Sequence, residues 1–190
     1  MCIRDRNLPL RGAKGWNYEG GIRVPLIVQW PGEVEANALS HALVTGTDFY
    51  PTLLEMIGLP TLPKQHLDGM SFLPALKGKD HERGAIYWHF PHYSNHGYQS
   101  PGGAIRLGNY KLLEYYENGS VQLFDLEADL GEQNDLSSER PEMTAKLLKL
   151  LQDWRGKMDA KMPRRKGAPS SIDQRKLPGK PALVGSSNPK

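Results

Sequence analysis

Apolar and polar positions follow two different rhythms along this chain, and the change between them divides it. Val24-Pro-Leu-Ile-Val-Gln-Trp30 is apolar at nearly every position, which predicts a central strand of a parallel sheet, covered on both faces. Pro25 fits only at the beginning of such a strand, and Pro31-Gly32 ends it. Residues 47–58, Thr-Asp-Phe-Tyr-Pro-Thr-Leu-Leu-Glu-Met-Ile-Gly, predict a helix with Thr47 as its cap, Pro51 near its first turn and Gly58 at its stop. Strand followed by helix is α/β grammar. Residues 61–83 are loop-like, with short apolar pieces.

The second rhythm is antiparallel. Residues 85–89 predict a strand, and residues 103–116 and 121–126 are β-prone runs joined through Asn118-Gly119, the dipeptide that favours a hairpin. Asn118-Gly-Ser120 also fits a glycosylation acceptor, but the hairpin accounts for it better. Pro141 opens a last helix in which Met143, Leu147, Leu150, Leu151, Trp154 and Met158 recur every three or four residues. That stripe should lie on the antiparallel sheet. After Pro163 no pattern persists. The expected organisation is therefore a leader of non-native appearance over 1–6, an α/β portion over 7–83, an antiparallel sheet with helix over 84–160, and a basic tail over 161–190.

Composition adjusts this picture in two places. With 190 residues, 38% of them hydrophobic, the chain can build one domain with a core. The net charge of +3 is uneven: residues 161–190 hold eight basic residues and one acidic, leaving sixteen basic and twenty acidic in residues 1–160. The basic character thus belongs to the tail, read as a solvated extension, and does not mark the folded part as a nucleic-acid binder. The single cysteine, Cys2, excludes an internal disulfide and a cysteine-rich zinc site. No stretch approaches the roughly 20 apolar residues that span a bilayer, so neither nucleic acid nor membrane is expected as a partner; oligomeric state stays open. Residues 1–10 lack the apolar core of a signal peptide. Periplasmic or secreted placement would follow only if a full-length protein carried one.

Three places carry candidate chemistry. Lys14 stands between Gly12 and Gly15, and a compact ammonium among backbone donors can hold a tetrahedral oxyanion such as sulfate or phosphate. No Lys-Ser or Lys-Thr follows a GxxxxG, and GxGxxG is absent, so it is neither of the familiar phosphate loops; a lysine on a flexible turn is the plain alternative. His89, His92 and His96 lie among aromatics in residues 87–98. Pro91 and the spacing disfavour metal binding, leaving a ligand-contacting loop or aromatic packing between subdomains. The acidic residues Asp125, Glu127, Asp129, Glu132 and Asp135 lack the regular order of a calcium loop and read as a solvated turn.

Taken together, Leu10-Arg-Gly-Ala-Lys-Gly15 with Tyr18-Glu-Gly-Gly-Ile-Arg-Val-Pro25, Thr47 to Leu54, Leu67-Asp-Gly-Met-Ser-Phe72, and the segment from Asn109-Tyr-Lys-Leu-Leu to Leu123-Phe-Asp-Leu126 resemble, in order, the C-terminal portion of the sulfatase family. The resemblance covers residues 7–160 and implies an alkaline-phosphatase-like α/β fold, truncated to the end of its parallel-sheet domain plus a C-terminal antiparallel sheet with a packed helix. It implies hydrolysis of sulfate esters on a sulfated small molecule or carbohydrate. Lys14 matches the family lysine that contacts the sulfate group. His92 falls where relatives present substrate-contacting side chains. Glu19 and Arg23 match motif positions and are expected to brace the Gly-Gly turn.

The resemblance also implies calcium and a formylglycine in the intact enzyme, and no residue present here is expected to bind either. Cys2-Ile-Arg-Asp-Arg6 has Cys and Arg at the nucleophile motif's separation but lacks its proline and lies too close to Gly12. A fragment without activity of its own is the expectation. The rivals are a phosphoesterase of the same superfamily and a non-catalytic module holding an anionic polysaccharide through the histidine loop and tail.

Overall fold

The computed structural model describes residues 7–93 and 99–164. At its centre is an antiparallel sheet of four strands in sequential order: β1 (Ile86–Phe90), β2 (Gly102–Leu107), β3 (Tyr110–Tyr115) and β4 (Val121–Asp125). Ile105 pairs with Leu112, and Leu112 with Leu123. Neighbouring strand positions point to opposite faces, and both faces are covered. Ala104, Leu113 and Phe124 pack with Tyr18 and Leu126 on one side. Ile105, Leu112 and Leu123 meet Leu147 and Leu151 on the other. This double burial explains why apolar residues come in adjacent pairs here instead of alternating with polar ones.

Helix α4 (Pro141–Lys157) supplies the second cover, as its stripe predicts. Leu147 and Leu151 are fully buried, with Met143, Leu150 and Trp154 beside them. The Trp154 ring stacks on Tyr87 at 4.8 Å between centroids. Each fully buried leucine contributes about 1.5–3 kcal/mol. Met158, the last residue of the predicted stripe, is exposed.

Two of the expected strands need correction. Residues 103–116 are two strands, reversing at Gly108-Asn109, where Gly108 takes φ +57; an uninterrupted β-prone pattern concealed the turn. Residues 24–30 form no strand, and Val24 and Ile27 are 79% and 91% exposed. A strand exists only through hydrogen bonds to a neighbour, and among the described residues none lies alongside.

The segment between these regions begins with a short helix, α1 (Glu19–Ile22), and continues beyond the extended stretch to a 3-10 turn over Gly46–Asp48 that leads into α2 (Phe49–Met56). Thr45 caps the 3-10 turn, and Asp48, not Thr47, stands at the cap of α2; the Asp48 carboxylate accepts the Thr45 backbone N–H at 2.7 Å. Fully buried, Asp48 also accepts from the Met70 N–H at 2.9 Å and from the Arg83 guanidinium. Thr52 donates its hydroxyl to the Asp48 carbonyl and accepts the Phe72 N–H. Residues 66–83, with the single turn α3 (Leu73–Leu76), are thereby stapled to the start of α2.

Candidate sulfate site

Lys14 sits at the crest of a tight turn closed by the Trp16 N–H on the Ala13 carbonyl at 3.0 Å. Gly12 and Gly15 adopt φ +79 and +89, values that other residues reach only with strain. The lysine is exposed and makes no hydrogen bond or ion pair with any described residue. Behind it the chain folds back on itself. Gly20 donates to the Arg11 carbonyl at 2.7 Å, and a Cβ on Gly21 would stand 2.1 Å from the Trp16 carbonyl oxygen. The Gly20-Gly21 pair is therefore a packing requirement of the chain behind the Lys14 turn.

That stretch is fastened to the sheet by charge. Glu19 is 2% exposed, and Lys111 and Glu132 are fully buried. The Lys111 ammonium lies 2.9 Å from Glu19 Oε1 and 2.9 Å from Glu132 Oε1, the latter an ionic contact outside hydrogen-bond geometry. Glu132 Oε2 accepts the Glu19 N–H at 2.7 Å, and its carbonyl accepts from the Arg11 guanidinium at 2.6 Å. Arg106 reaches Glu19 Oε2 at 3.3 Å and Arg23 approaches it at 3.8 Å. Burial pushes the Glu132 carboxyl up, against the pull of Lys111.

Around this cluster, Arg11 lies over the Tyr18 ring at 4.1 Å. The Tyr18 hydroxyl lies 2.8 Å from the Tyr115 hydroxyl and donates to Gln122 Oε1 at 2.6 Å. Burial first, and then the Tyr18 hydroxyl, raise the Tyr115 phenol above its ordinary range. Glu19 and Arg23 thus brace the turn as expected. Glu132, expected in a solvated turn, is instead an interior anchor, because its carboxylate satisfies both a backbone donor and a buried cation. The neighbouring acids Asp129 and Asp135 do tie turns, accepting the N–H groups of Gln133 and Leu123.

The histidines separate. His89 on β1 uses both ring nitrogens, with Nδ1 2.7 Å from the Tyr116 hydroxyl and Nε2 3.0 Å from the Lys161 carbonyl oxygen. His92, just past β1, is exposed and packs edge-to-face on Phe90. His96 lies outside the described residues, as do Cys2 and residues 165–190 of the tail. No contact among the described residues joins His92 to Lys14.

Sequence reasoning assigned Lys111 and Arg106 no role and placed Glu132 in a solvated turn. A signal existed for the first: Lys111 shares a strand face with Leu113, the inward face packed on Tyr18 and Phe124, and a lysine there needs a buried counter-charge.

Residues 13–157 match the family model described as N-sulphoglucosamine sulphohydrolase, C-terminal. The chain belongs to the sulfatase family. Similar proteins include a sulfatase of Formosa agariphila, 36% identical over 164 residues, which are 78% of this chain and 30% of that protein. Arylsulfatase A of Homo sapiens is 31% identical over 178 residues, 80% of this chain and 34% of that protein. The chain therefore spans about a third of the length of the sulfatases it matches. Among solved structures, Ps i-CgsB in complex with k-i-k-neocarrahexaose superposes with TM-score 0.68 at 30% identity, covering 78% of this chain and 32% of that one. BT4656, solved with its substrate D-glucosamine-2-N,6-O-disulfate, gives 0.59 at 25% identity, covering 74% and 29%. As for calcium, no group of three His, Cys, Asp or Glu among the described residues is placed to hold a metal ion.

Proposed function

We propose that the chain is the C-terminal part of a sulfuric ester hydrolase, in which Lys14 binds an oxygen of the sulfate group of a sulfated carbohydrate. The observation that carries this is an exposed ammonium, unpaired among the described residues, on a tight glycine-bounded turn, in a chain of the sulfatase family. A sugar substrate draws support from the ligands of the two solved relatives, a neocarrahexaose and a glucosamine disulfate. His92, exposed beyond β1, is assigned a substrate contact.

Hydrolysis transfers the sulfuryl group to water, breaking the sulfur–oxygen ester bond and releasing an alcohol and sulfate. Negative charge builds on the sulfate and leaving-group oxygens as that bond lengthens. A preorganised ammonium at a sulfate oxygen offsets this charge more in the transition state than in the ester, which is how such a group accelerates the step. On this reading the described residues contribute the electrostatic contact and are assigned no nucleophilic role, so the chain alone should not turn over. In an assay with an aryl sulfate ester, no release of the phenol is expected. Turnover by the purified chain that disappears in Lys14→Ala would overturn the claim of inactivity.

A further inference from the structure

The Lys14 turn gains its rigidity from a different part of the chain. Its own hydrogen bonds are local: Trp16 to Ala13, Gly20 to Arg11, Gly21 to Tyr18. None of these ties it to the sheet. Three ionic or carboxylate links do so, Lys111 from β3, Arg106 from β2 and Glu132 from the loop after β4, beside the hydrogen bonds of Tyr18 to Tyr115 and Gln122, of Arg11 to the Glu132 carbonyl and of the Asn17 N–H to Gln99. Lys111 is the centre, since it alone contacts both carboxylates. Glu132 is held there at some cost, in the left-handed backbone region at φ +52, a conformation unfavourable for a residue with a Cβ.

We propose that Lys111 is a positioning residue for Lys14: through Glu19 and Glu132 it fixes the glycine-bounded turn to the antiparallel sheet, so that the height and direction of the sulfate-binding ammonium are set by β3. Two carboxylates and two close cations, Lys111 and Arg106, make a nearly balanced set. Removing the central cation leaves two buried carboxylates to repel each other, and relief comes most easily by moving the loop, because β3 is held on both edges. The functional half of this assignment rests on the sulfate role given to Lys14; the anchoring half does not.

The test compares the full chain with Lys111→Met, Lys111→Met/Glu132→Gln and Lys14→Ala, reading amide hydrogen exchange residue by residue and titrating with inorganic sulfate. Lys111→Met should speed exchange at Trp16, Gly20, Gly21 and Arg23 by about tenfold or more relative to amides of β2 to β4. It should also weaken sulfate binding several-fold with Lys14 still present, an effect that a purely structural role would not produce. The double variant removes one carboxylate with the cation and keeps the measurement possible if the single variant fails to fold; it should show the same selective loosening. Exchange that rises equally in turn and sheet, or in neither, overturns the anchoring. Selective loosening with sulfate binding indifferent to Lys14→Ala supports the anchoring and overturns the sulfate role of Lys14.

Discussion

At the scale of the residue, the site is a contrast between one lysine in water and one in the interior. Lys14 is exposed and unpaired among the described residues, while Lys111 is fully buried between two carboxylates. Only the first was legible in the sequence, because glycines on either side advertise a special backbone, whereas the partners of Lys111 lie 92 positions away at Glu19 and 21 away at Glu132. Glu132 gives a test by pH. Burial raises its carboxyl above the ordinary 4.5, so between these two values the folded chain binds more protons than the unfolded one. The associated stability is present below pH 4.5 and lost as pH rises through the raised value. Lys111, Glu19, Arg106 and Tyr115 surround the group and are common to wild type and variant. Denaturant unfolding from pH 4 to 8 should therefore show wild type losing stability relative to Glu132→Gln as pH rises; parallel curves would contradict the assignment. Gly21→Ala should cost at least about 2 kcal/mol in the same assay, since its Cβ would overlap the Trp16 carbonyl.

Elements were legible to the extent that each makes its own hydrogen bonds. Helix α4 was readable from its period, and its apolar stripe also named its partner surface, because an amphipathic helix has only one face to bury. Leu147→Ala and Leu151→Ala should each destabilise the chain by about 2–5 kcal/mol, measured by thermal or denaturant unfolding. Strands are different. The apolar run at 24–30 has strand composition but forms no strand pairing among the described residues, and Val24, Leu26 and Ile27 are exposed. Val24→Thr with Ile27→Thr should accordingly change unfolding free energy by less than about 0.5 kcal/mol each; a large loss would show that this segment is packed. The turn at Gly108-Asn109 escaped notice because the stronger Asn118-Gly119 signal lay close by, and a sheet buried on both faces shows no alternation to reveal where the chain reverses.

At the scale of the whole molecule, two regions carry different loads. The sheet with α4 holds the two apolar clusters, and the segment ahead of it carries Lys14 and much exposed apolar surface at Val24, Ile27, Leu39, Leu53 and Ile57. What joins the Lys14 turn to the sheet is the ionic cluster together with the aromatic packing of Tyr18 against Phe124. The chain, about a third of the length of its relatives, thus holds the turn proposed to bind sulfate in place on the sheet. Order in that piece should show directly as anion binding. Titration of the isotopically labelled chain with inorganic sulfate, followed by amide and lysine side-chain resonances, is expected to give saturable shifts at Gly12, Lys14 and Gly15 that vanish in Lys14→Ala. Shifts confined to the basic residues 161–190, or unchanged by Lys14→Ala, would contradict a sulfate contact at Lys14.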